Sequence, residues 1–240
     1  MTTLITGGAG FIGSHLVEKL LSEGHEVVCL ENFGTLYDPT IRMENIRRAW
    51  ALKNFMLIEG NIRDTSALER SFEGKQIDLV VHLAARAGVP PSIQQPELYY
   101  DVNVSGILRL LEAMRLFGVR KMVFGSSSPV YGNSFKVPFS ESDPVDNPIS
   151  PHAARKKAGE LLCHRYHHLY GFDIFCLRSF TDHGPRQRPE MLFISSLRIS
   201  SMASLSQCMA AEQQRRIILL SMISCRVFWL QCRSCMGLKL

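Results

Sequence analysis

The chain has 240 residues, 46% hydrophobic and 20% charged, with 27 basic and 22 acidic side chains and a formal net charge of +5. That length suits one α/β domain or one and a half. The excess charge sits entirely in 193–240, which holds six basic residues and one acid, while 1–192 balances 21 against 21, so charge gives no case for nucleic-acid binding.

Taken in chain order, the pattern alternates strand and helix up to about Arg178. Strand-like runs are Thr3–Thr6, Glu26–Leu30, Phe55–Glu59, Leu79–Leu83, Lys121–Gly125 and Asp173–Arg178. Helical periodicity marks Phe11–Ser22, Thr40–Leu52, Thr65–Phe72, Leu98–Phe117 and Pro151–Tyr170. The alternation predicts a Rossmann-like, doubly wound parallel sheet with helices on both faces.

Between the first strand and the first helix stand Gly7, Gly10 and Gly13. The first permits a tight turn, the second lets a pyrophosphate approach the backbone, and the third lets the helix pack close to the strand. The free N–H groups at the helix start then face the phosphates. The second strand ends at Glu31, close to the expected spacing of about 20 residues for an acid that binds the adenosine ribose. A carboxylate there accepts from both ribose hydroxyls and repels a 2′-phosphate, so NAD is expected over NADP.

Other features carry less. Seven cysteines, an odd number without disulfide-like spacing, point to a reducing cytoplasm, and Cys232 and Cys235 lack a second pair that would make a zinc site. No charged-then-apolar leader precedes the first strand. The longest apolar run, Ile217 to Leu230, is interrupted by Arg226 and is short of the roughly 20 residues that a membrane span needs, so no membrane partner is expected. His164 and His168 stand one helical turn apart with no third ligand, so no metal is expected.

The segments TGGAGFIGSH, Gly60-Asn61-Ile62-Arg63-Asp64, VVHLAARAGVPPSI, DVNVSG, VFGSSSPVYG, SPHAARKKAGE and GPRQRPEM follow one another in order up to residue 191. In this series the chain resembles the extended short-chain dehydrogenases/reductases, and most of all the UDP-glucuronate 4-epimerases. The resemblance implies NAD as cofactor and a UDP-sugar, UDP-glucuronate, as substrate. Its implied cofactor contacts are Gly7, Gly10, Phe11, Ile12, Gly13, Glu31, Asn32, Asn61, Ile62, Leu83, Ala84, Ala85, Arg86, Asn103, Ser126 and Lys156. Asn61 and Ile62 would touch the adenine, and Leu83 to Arg86 would line the cofactor toward the nicotinamide. Implied substrate contacts are Arg86, Ser127, Arg186 and Arg188, and the implied catalytic set is Ser127, His152 and Lys156. In that family a deprotonated Tyr takes the C4 hydroxyl proton, a hydride passes to NAD⁺, and the 4-keto sugar turns over before the hydride returns. Lys would hold the nicotinamide ribose and lower the pKa of that base.

Here the Tyr-x-x-x-Lys motif reads His152-Ala-Ala-Arg-Lys156. Imidazole can act as a base, but it is shorter than phenol, and misplacement by about 1 Å can cost on the order of a hundredfold in rate. Strongly reduced turnover is expected. Further departures from the family are Pro90 in place of Arg, Arg155 in place of a small or hydroxyl residue, and Ser179, Asp182 and His183 before Gly184-Pro185. Related 4,6-dehydratases carry two acids after the catalytic hydroxyl, where this chain has Ser128 and Pro129, so dehydration is not expected. A second copy could pack on helices 98–117 and 151–170 as a homodimer, though two long core helices would read the same way.

The resemblance stops at Met191, which divides the chain into an NAD-binding domain, 1–191, and an aberrant tail, 192–240. Residues 193–240 contain nine Ser, four Cys and four Met, one Gly, and no Asp, Pro or Tyr, so most turn-forming residues are gone. A shift of reading frame near residue 191 accounts for this. Read from the third base, the codons of Met209-Ala210 force Gly, those of Met222-Ile223 force Asp, those of Cys208-Met209 give Tyr or His, and those of Ala211-Glu212 can give Gly. The hidden frame thus permits the family's Val-Tyr-Gly-x-Gly with its Asp at the family spacing. Loss of the native C-terminal part would leave the substrate site half open, and low order and poor solubility are expected of the tail. The competing expectation is a non-catalytic NAD-binding remnant or a decayed gene product.

Overall fold

The computed structural model describes residues 1–34, 37–134, 136 and 138–187 together with the backbone of 218–220; the side chains at 89, 90, 181 and 183 are outside this description. Both the expected tail, 192–240, and Arg188 thus lie outside the described residues, apart from the backbone of 218–220.

Six parallel strands form the main sheet: β1 (Thr2–Thr6), β2 (Glu26–Glu31), β3 (Phe55–Glu59), β4 (Leu79–His82), β5 (Lys121–Ser127) and β6 (Asp173–Ser179), in the spatial order β3-β2-β1-β4-β5-β6. The order reverses between β1 and β4, which is where open α/β sheets of this type bind their ligands, beyond the carboxyl ends of the strands. Register is continuous, with Thr6 opposite both Leu30 and His82. The helices joining these strands are α1 (Phe11–Ser22), α2 (Pro39–Trp50), α3 (Thr65–Phe72), α4 (Val89–Gln94), α5 (Pro96–Tyr100), α6 (Gly106–Leu116) and α7 (Pro151–Tyr170). A short strand, β7 (Thr181–His183), pairs in parallel with β8 (Ile218–Leu220) in a separate sheet.

Alternate strand residues feed two cores, one on each face. Leu4, Val28, Leu30, Val80, Met122 and Phe124 pack with residues of α3, α6 and α7. Ile5, Val27, Leu79, Val81 and Val123 pack with Leu16, Val17 and Leu20 of α1. Burial on both faces is why the strands read as nearly continuous apolar runs. Each such side chain removed from water stabilises the fold by about 1.5–3 kcal/mol.

Helix ends follow their capping residues. Asp64 accepts from the Ser66 N–H to open α3, and Ser150 accepts from the Ala153 N–H, ahead of Pro151, to open α7. Gly171, with φ +66°, closes α7 in the left-handed conformation that glycine favours.

One expected element is corrected. The single helix read over 98–117 is instead α5, a π-helical turn at Asp101–Ser105, and α6. The π turn carries Asn103, whose amide grips the main chain of Arg86, and Gly106 follows it with Ile62 so close that a Cβ would lie 2.6 Å from its Cδ1. Regular helical periodicity would not give both contacts, and such bulges concentrate at functional sites. α4 and the 3₁₀ turn Ser128–Tyr131 were not anticipated either. Both begin with prolines in their first turn, where the missing N–H is no loss, but where proline reads from sequence as a breaker.

Candidate active site

The cleft starts at the end of β1. The Gly7 N–H donates to Leu30 O at 2.9 Å, and Gly7 has φ +75° with room for nothing larger, since a Cβ would stand 2.7 Å from Ala84 N. Gly13 is equally constrained: its Cβ would meet Gly7 O at 2.3 Å. These approaches let α1 start directly under the turn. Gly10 caps α1 without a side-chain bond, and no acid lies in the first turn. The N–H groups of that turn therefore have neither an intrahelical partner nor a protein anion, which is the condition for receiving phosphate. From α2, Asn45 donates to Ala9 O at 3.0 Å and braces the loop, a contact that nothing in the sequence pattern announces.

Glu31 is buried at the end of β2. Its Oε1 accepts from Asn32 N at 3.1 Å and from Arg42 Nη1 at 3.3 Å, and the Arg42 guanidinium lies 4.5 Å from the Tyr37 ring centre. Arg42 and Tyr37 were not foreseen as neighbours of this acid. Across the next strand, Asn61 Oδ1 accepts from the main chain and Nε of Arg63, and Ile62 is buried against Gly106. The glycine turn, Glu31, Asn61 and Ile62 thus line the ends of three adjacent strands.

Beyond β4 the chain passes through Leu83, Ala84, Ala85 and Arg86. Asn103 holds this stretch by a two-way clamp, accepting from Arg86 N at 2.8 Å and donating to Arg86 O at 2.9 Å. Thr6 braces it from the other side, with Oγ1 accepting from Ala84 N at 3.3 Å and lying 2.7 Å from His82 Nδ1. Burial first, and the Lys156 charge second, hold His82 down at a pKa of about 3. The ring is therefore neutral, and the Thr6–His82 hydrogen bond, together with the Ala84 N–H on the same hydroxyl, holds β1 to the end of β4.

Ser127 stands at the last position of β5, opposite Ser179 of β6, and leads into the 3₁₀ turn. Lys156 projects from α7 and donates through Nζ to Gly125 O at 2.5 Å, two residues before Ser127. Burial brings the Lys156 pKa down to about 8, against the weaker opposing influence of Cys163 and Glu160. His152 lies one turn before Lys156 on the same helix, half-buried. Ser126 is committed elsewhere: its hydroxyl donates to Glu160 Oε1 at 2.5 Å. Glu160 also takes a two-pronged bond from Arg178, Nε to Oε1 at 3.0 Å and Nη2 to Oε2 at 2.9 Å. Arg178 lies 4.9 Å from the Tyr131 ring centre, and Glu160 pushes its pKa up. This Ser126–Glu160–Arg178 brace ties β5, α7 and β6 together beneath Ser127 and was not legible beforehand.

Arg186 is joined to neither Ser127 nor Lys156. It takes φ +67° and pairs with Glu18 of α1 at 2.6 Å. Among the described residues no helix is long and apolar enough to cross a membrane, and no cluster of three or more metal-ligating side chains occurs.

The cleft so built has close likenesses. The family described as GDP-mannose 4,6 dehydratase matches residues 4–218. A UDP-glucuronate 4-epimerase from Thermodesulfobacterium geofontis is 45% identical over 188 residues, which is 78% of this chain and 58% of that protein. The chain thus spans little more than half the length of that relative. Among solved structures, the dTDP-glucose 4,6-dehydratase DesIV from Streptomyces venezuelae, with NAD and TYD bound, superposes with a TM-score of 0.85 at 30% identity, over 97% of this chain and 72% of that one. The UDP-glucuronic acid 4-epimerase from Bacillus cereus, in complex with UDP-glucuronic acid and NAD, gives 0.81 at 32% identity, over 97% and 73%. With a six-stranded Rossmann sheet, a glycine turn that only hydrogen side chains fit, and these matches along most of its length, the chain belongs to the NAD-dependent epimerase/dehydratase family of extended short-chain dehydrogenases/reductases.

Proposed function

We propose that the chain is an NAD-dependent nucleotide-sugar 4-epimerase by descent, with UDP-glucuronate and UDP-galacturonate as its sugar nucleotides, and that its own turnover is greatly reduced. The observation that carries this reading is the convergence of three elements at one end of the sheet. The open glycine turn follows β1, Ser127 ends β5, and Lys156 is anchored on Gly125 O beside it. The identity to UDP-glucuronate 4-epimerases supports the sugar, and the NAD in the solved neighbours supports the cofactor.

The residues fit a dinucleotide: Gly7, Gly10, Phe11, Ile12 and Gly13 would hold the pyrophosphate on main-chain N–H groups, Glu31 and Asn32 the adenosine ribose, Asn61 and Ile62 the adenine, and Lys156 the nicotinamide ribose. Bound there, NAD supplies a reversible hydride acceptor. Ser127 would hydrogen-bond the reacting hydroxyl, and His152 would take its proton. Both the short reach of the imidazole and the positive charge on Lys156, which opposes a second cation one turn away, lower its competence as a base. Ser128 and Pro129, in the 3₁₀ turn after Ser127, offer no carboxyl group for the elimination that a dehydratase performs.

Arg186 and Arg188 would reach the sugar nucleotide from the segment after β7. A second copy would pack on the helical faces 98–117 and 151–170, where Leu108 and Leu161 are exposed at 37% and 57%. A cytoplasmic setting suits the free thiols of Cys29, Cys163 and Cys176. The domain limit at 191 and the shifted frame beyond it belong to the same reading. The nucleotide sequence around codons 206 to 223 tests them: a shifted frame that does not spell Val-Tyr-Gly-x-Gly removes the idea.

A second reading, a non-catalytic NAD-binding remnant, is favoured by His152 in place of Tyr. One experiment separates the readings: calorimetric titration of the full chain with NAD, followed by an assay for UDP-galacturonate formed from UDP-glucuronate. Binding with slow but measurable turnover supports the epimerase. Binding with none favours the remnant, and turnover at the rates of its relatives refutes the impairment.

A further inference from the structure

Among the described residues, Arg186 and Phe33 alone take a positive φ without being glycine. Arg186 stands third in a turn that opens at Gly184 and Pro185 and closes where the Gln187 N–H donates to Gly184 O at 3.2 Å. With φ +67° it fills the place of a type II turn that asks for glycine. Its Nη1 is also buried without a hydrogen-bond partner. Strain and an unpaired donor both oppose this conformation, and such outliers persist only where their surroundings over-determine them.

Those surroundings are one flank of α1. Arg186 Nη2 donates to Glu18 Oε1 at 2.6 Å, and His15 Nε2 lies 3.1 Å from Pro185 O. A carbonyl only accepts, so Nε2 carries the hydrogen. One helical turn separates His15 from Glu18, which puts them on the same side. Both are half-buried, while Leu16, Val17 and Leu20 face the core. Lys19 is turned to Glu23 at 2.7 Å, which leaves Glu18 to Arg186. These contacts join residues 168 and 170 apart in sequence. In the sheet, β4 and β5 separate β6 from β1, so the two stand about 14 Å apart at the usual strand spacing. The stretch from Ser179 to Pro185 reaches about 20 Å when extended. The chain leaving β6 thus has the length to return to the helix that opens on the glycine turn, and little to spare.

We propose that Glu18, assisted by His15, is a positioning residue for the sugar side of the cleft: it fixes Arg186, and with it the Gly184–Gln187 turn, against the helix that receives the cofactor. The inference rests on reading the cleft as a nucleotide-sugar site in which Arg186 is a substrate contact, and adds the group that aims it. Glu18 itself touches neither ligand. It lies two turns into α1, about 10 Å along the axis from Phe11, while the phosphates belong at the first turn. Removing its carboxylate therefore leaves the dinucleotide seat intact and releases only the turn. A charged pair at this exposure, 22% for Arg186 and 33% for Glu18, contributes enough to bias a short turn but not enough to hold the fold.

The test is hydrogen exchange of the full chain with NAD, read by mass spectrometry, together with calorimetric titration with UDP-glucose. In Glu18→Ala the amides of Gly184, Arg186 and Gln187 should exchange about fivefold faster, the share that a partly exposed ion pair contributes to a local opening. UDP-glucose affinity should fall by a similar factor, while NAD affinity and exchange in β1 stay native. His15→Ala should give a smaller change in the same segment. The reversed pair, Glu18→Arg with Arg186→Glu, should restore slow exchange but not UDP-glucose affinity, because the guanidinium has left the turn. Unchanged exchange in Glu18→Ala, faster exchange spread along the whole chain, or a reversed pair that stays fast overturns the anchoring. Faster exchange with native UDP-glucose affinity overturns the positioning role. A native chain that shows the expected exchange pattern but does not bind UDP-glucose refutes the nucleotide-sugar reading and retains the anchor.

Discussion

The two halves of the cleft differ in how completely their polar groups are used. At the dinucleotide end, the glycine turn is braced by Asn45 and by Gly7 bonding to Leu30, and Glu31 is held by Arg42 and Asn32. Strands β1 and β4 beneath it are buried almost throughout. At the other end, β6 has no fully buried residue, the Arg155 guanidinium has no hydrogen-bond partner among the described residues, and His152, which the family resemblance puts at the tyrosine position, is half-buried. The first half is held throughout by bonds to the main chain and to neighbouring side chains; the second has its frame in the Ser126–Glu160–Arg178 brace but leaves a buried guanidinium without hydrogen bonds among the described residues. A binding surface made of backbone shape persists when its glycines persist, whereas a reacting centre depends on side chains that single substitutions replace.

The largest effect is expected at the glycines. Gly7→Ala would put a side chain at φ +75° and 2.7 Å from Ala84 N, and Gly13→Ala would drive one into Gly7 O. Each should destabilise the fold by about 2–4 kcal/mol, combining strain and overpacking, and should reduce NAD affinity at least a hundredfold by closing the phosphate turn. Gly132→Ala, in the other half, meets Asn147 O at 2.5 Å with φ +62°, and should cost similar stability. NAD affinity of the folded Gly132→Ala protein should stay native. If calorimetry shows equal losses of affinity for all three, the halves are not separable.

Next in size is the brace. Glu160→Gln removes the charge that faces Arg178 and half of its two-pronged bond. Breaking a buried pair costs about 3–5 kcal/mol, and since the Arg178 side chain keeps 20% exposure, about 2–3 kcal/mol is expected. Urea titration measures it. A loss below about 0.5 kcal/mol would mean that the pair behaves as an exposed one.

His152→Tyr probes the reacting centre alone. NAD affinity should not change, and turnover should remain far below that of the relatives if the residues after 191 are also needed. Full recovery of epimerase activity from this one substitution would place the whole defect at position 152.

How much of this could be read in advance follows the same division. Phe11–Ser22, Thr65–Phe72 and Pro151–Tyr170 match the sequence periodicity to the residue, because capping residues and apolar spacing are local signals. The glycine turn and Glu31 were legible for the same reason: a turn, a close approach and a strand end are each written in one short segment. The π turn at Asp101–Ser105 was not; the contact it carries, Asn103 with Arg86, joins residues 17 apart and leaves no local signal. Glu160 bonding to Ser126, 34 residues distant, and Asn45 bonding to Ala9, 36 residues distant, are invisible for that reason too. Arg155 stood out in sequence only as a departure; that it is enclosed, stacked and unpartnered needed the packing of α5 against α7.

The smallest expected effect is a pH dependence that links the two halves through Lys156. Its folded pKa, about 8, lies below the ordinary lysine value of 10.5, with burial the main cause. The unfolded chain therefore binds more protons between those two values, and stability rises as pH rises through that window. Below about 8 the ammonium is charged in both states and its burial cost is fully present; above 10.5 it is neutral in both and the cost is gone. Since the side chain is only half-buried, the gain across the window should be about 1 kcal/mol rather than the full value of the shift. Lys156→Met should flatten that slope and be more stable than the native chain near pH 7, while weakening NAD binding if the lysine holds the nicotinamide ribose. Unfolding midpoints at pH 7.5 and 10 for the two proteins decide it: a rising slope that survives the substitution belongs to another group, and not to the Cys29 thiol, which burial pushes up and which therefore lowers stability as pH rises. If Lys156 holds the nicotinamide ribose, added NAD⁺ brings a cationic ring beside it and away from the diphosphate at the glycine turn, so the cofactor should keep the lysine pKa low and the window should not narrow; a window that closes on adding NAD would place the diphosphate, not the nicotinamide, at Lys156.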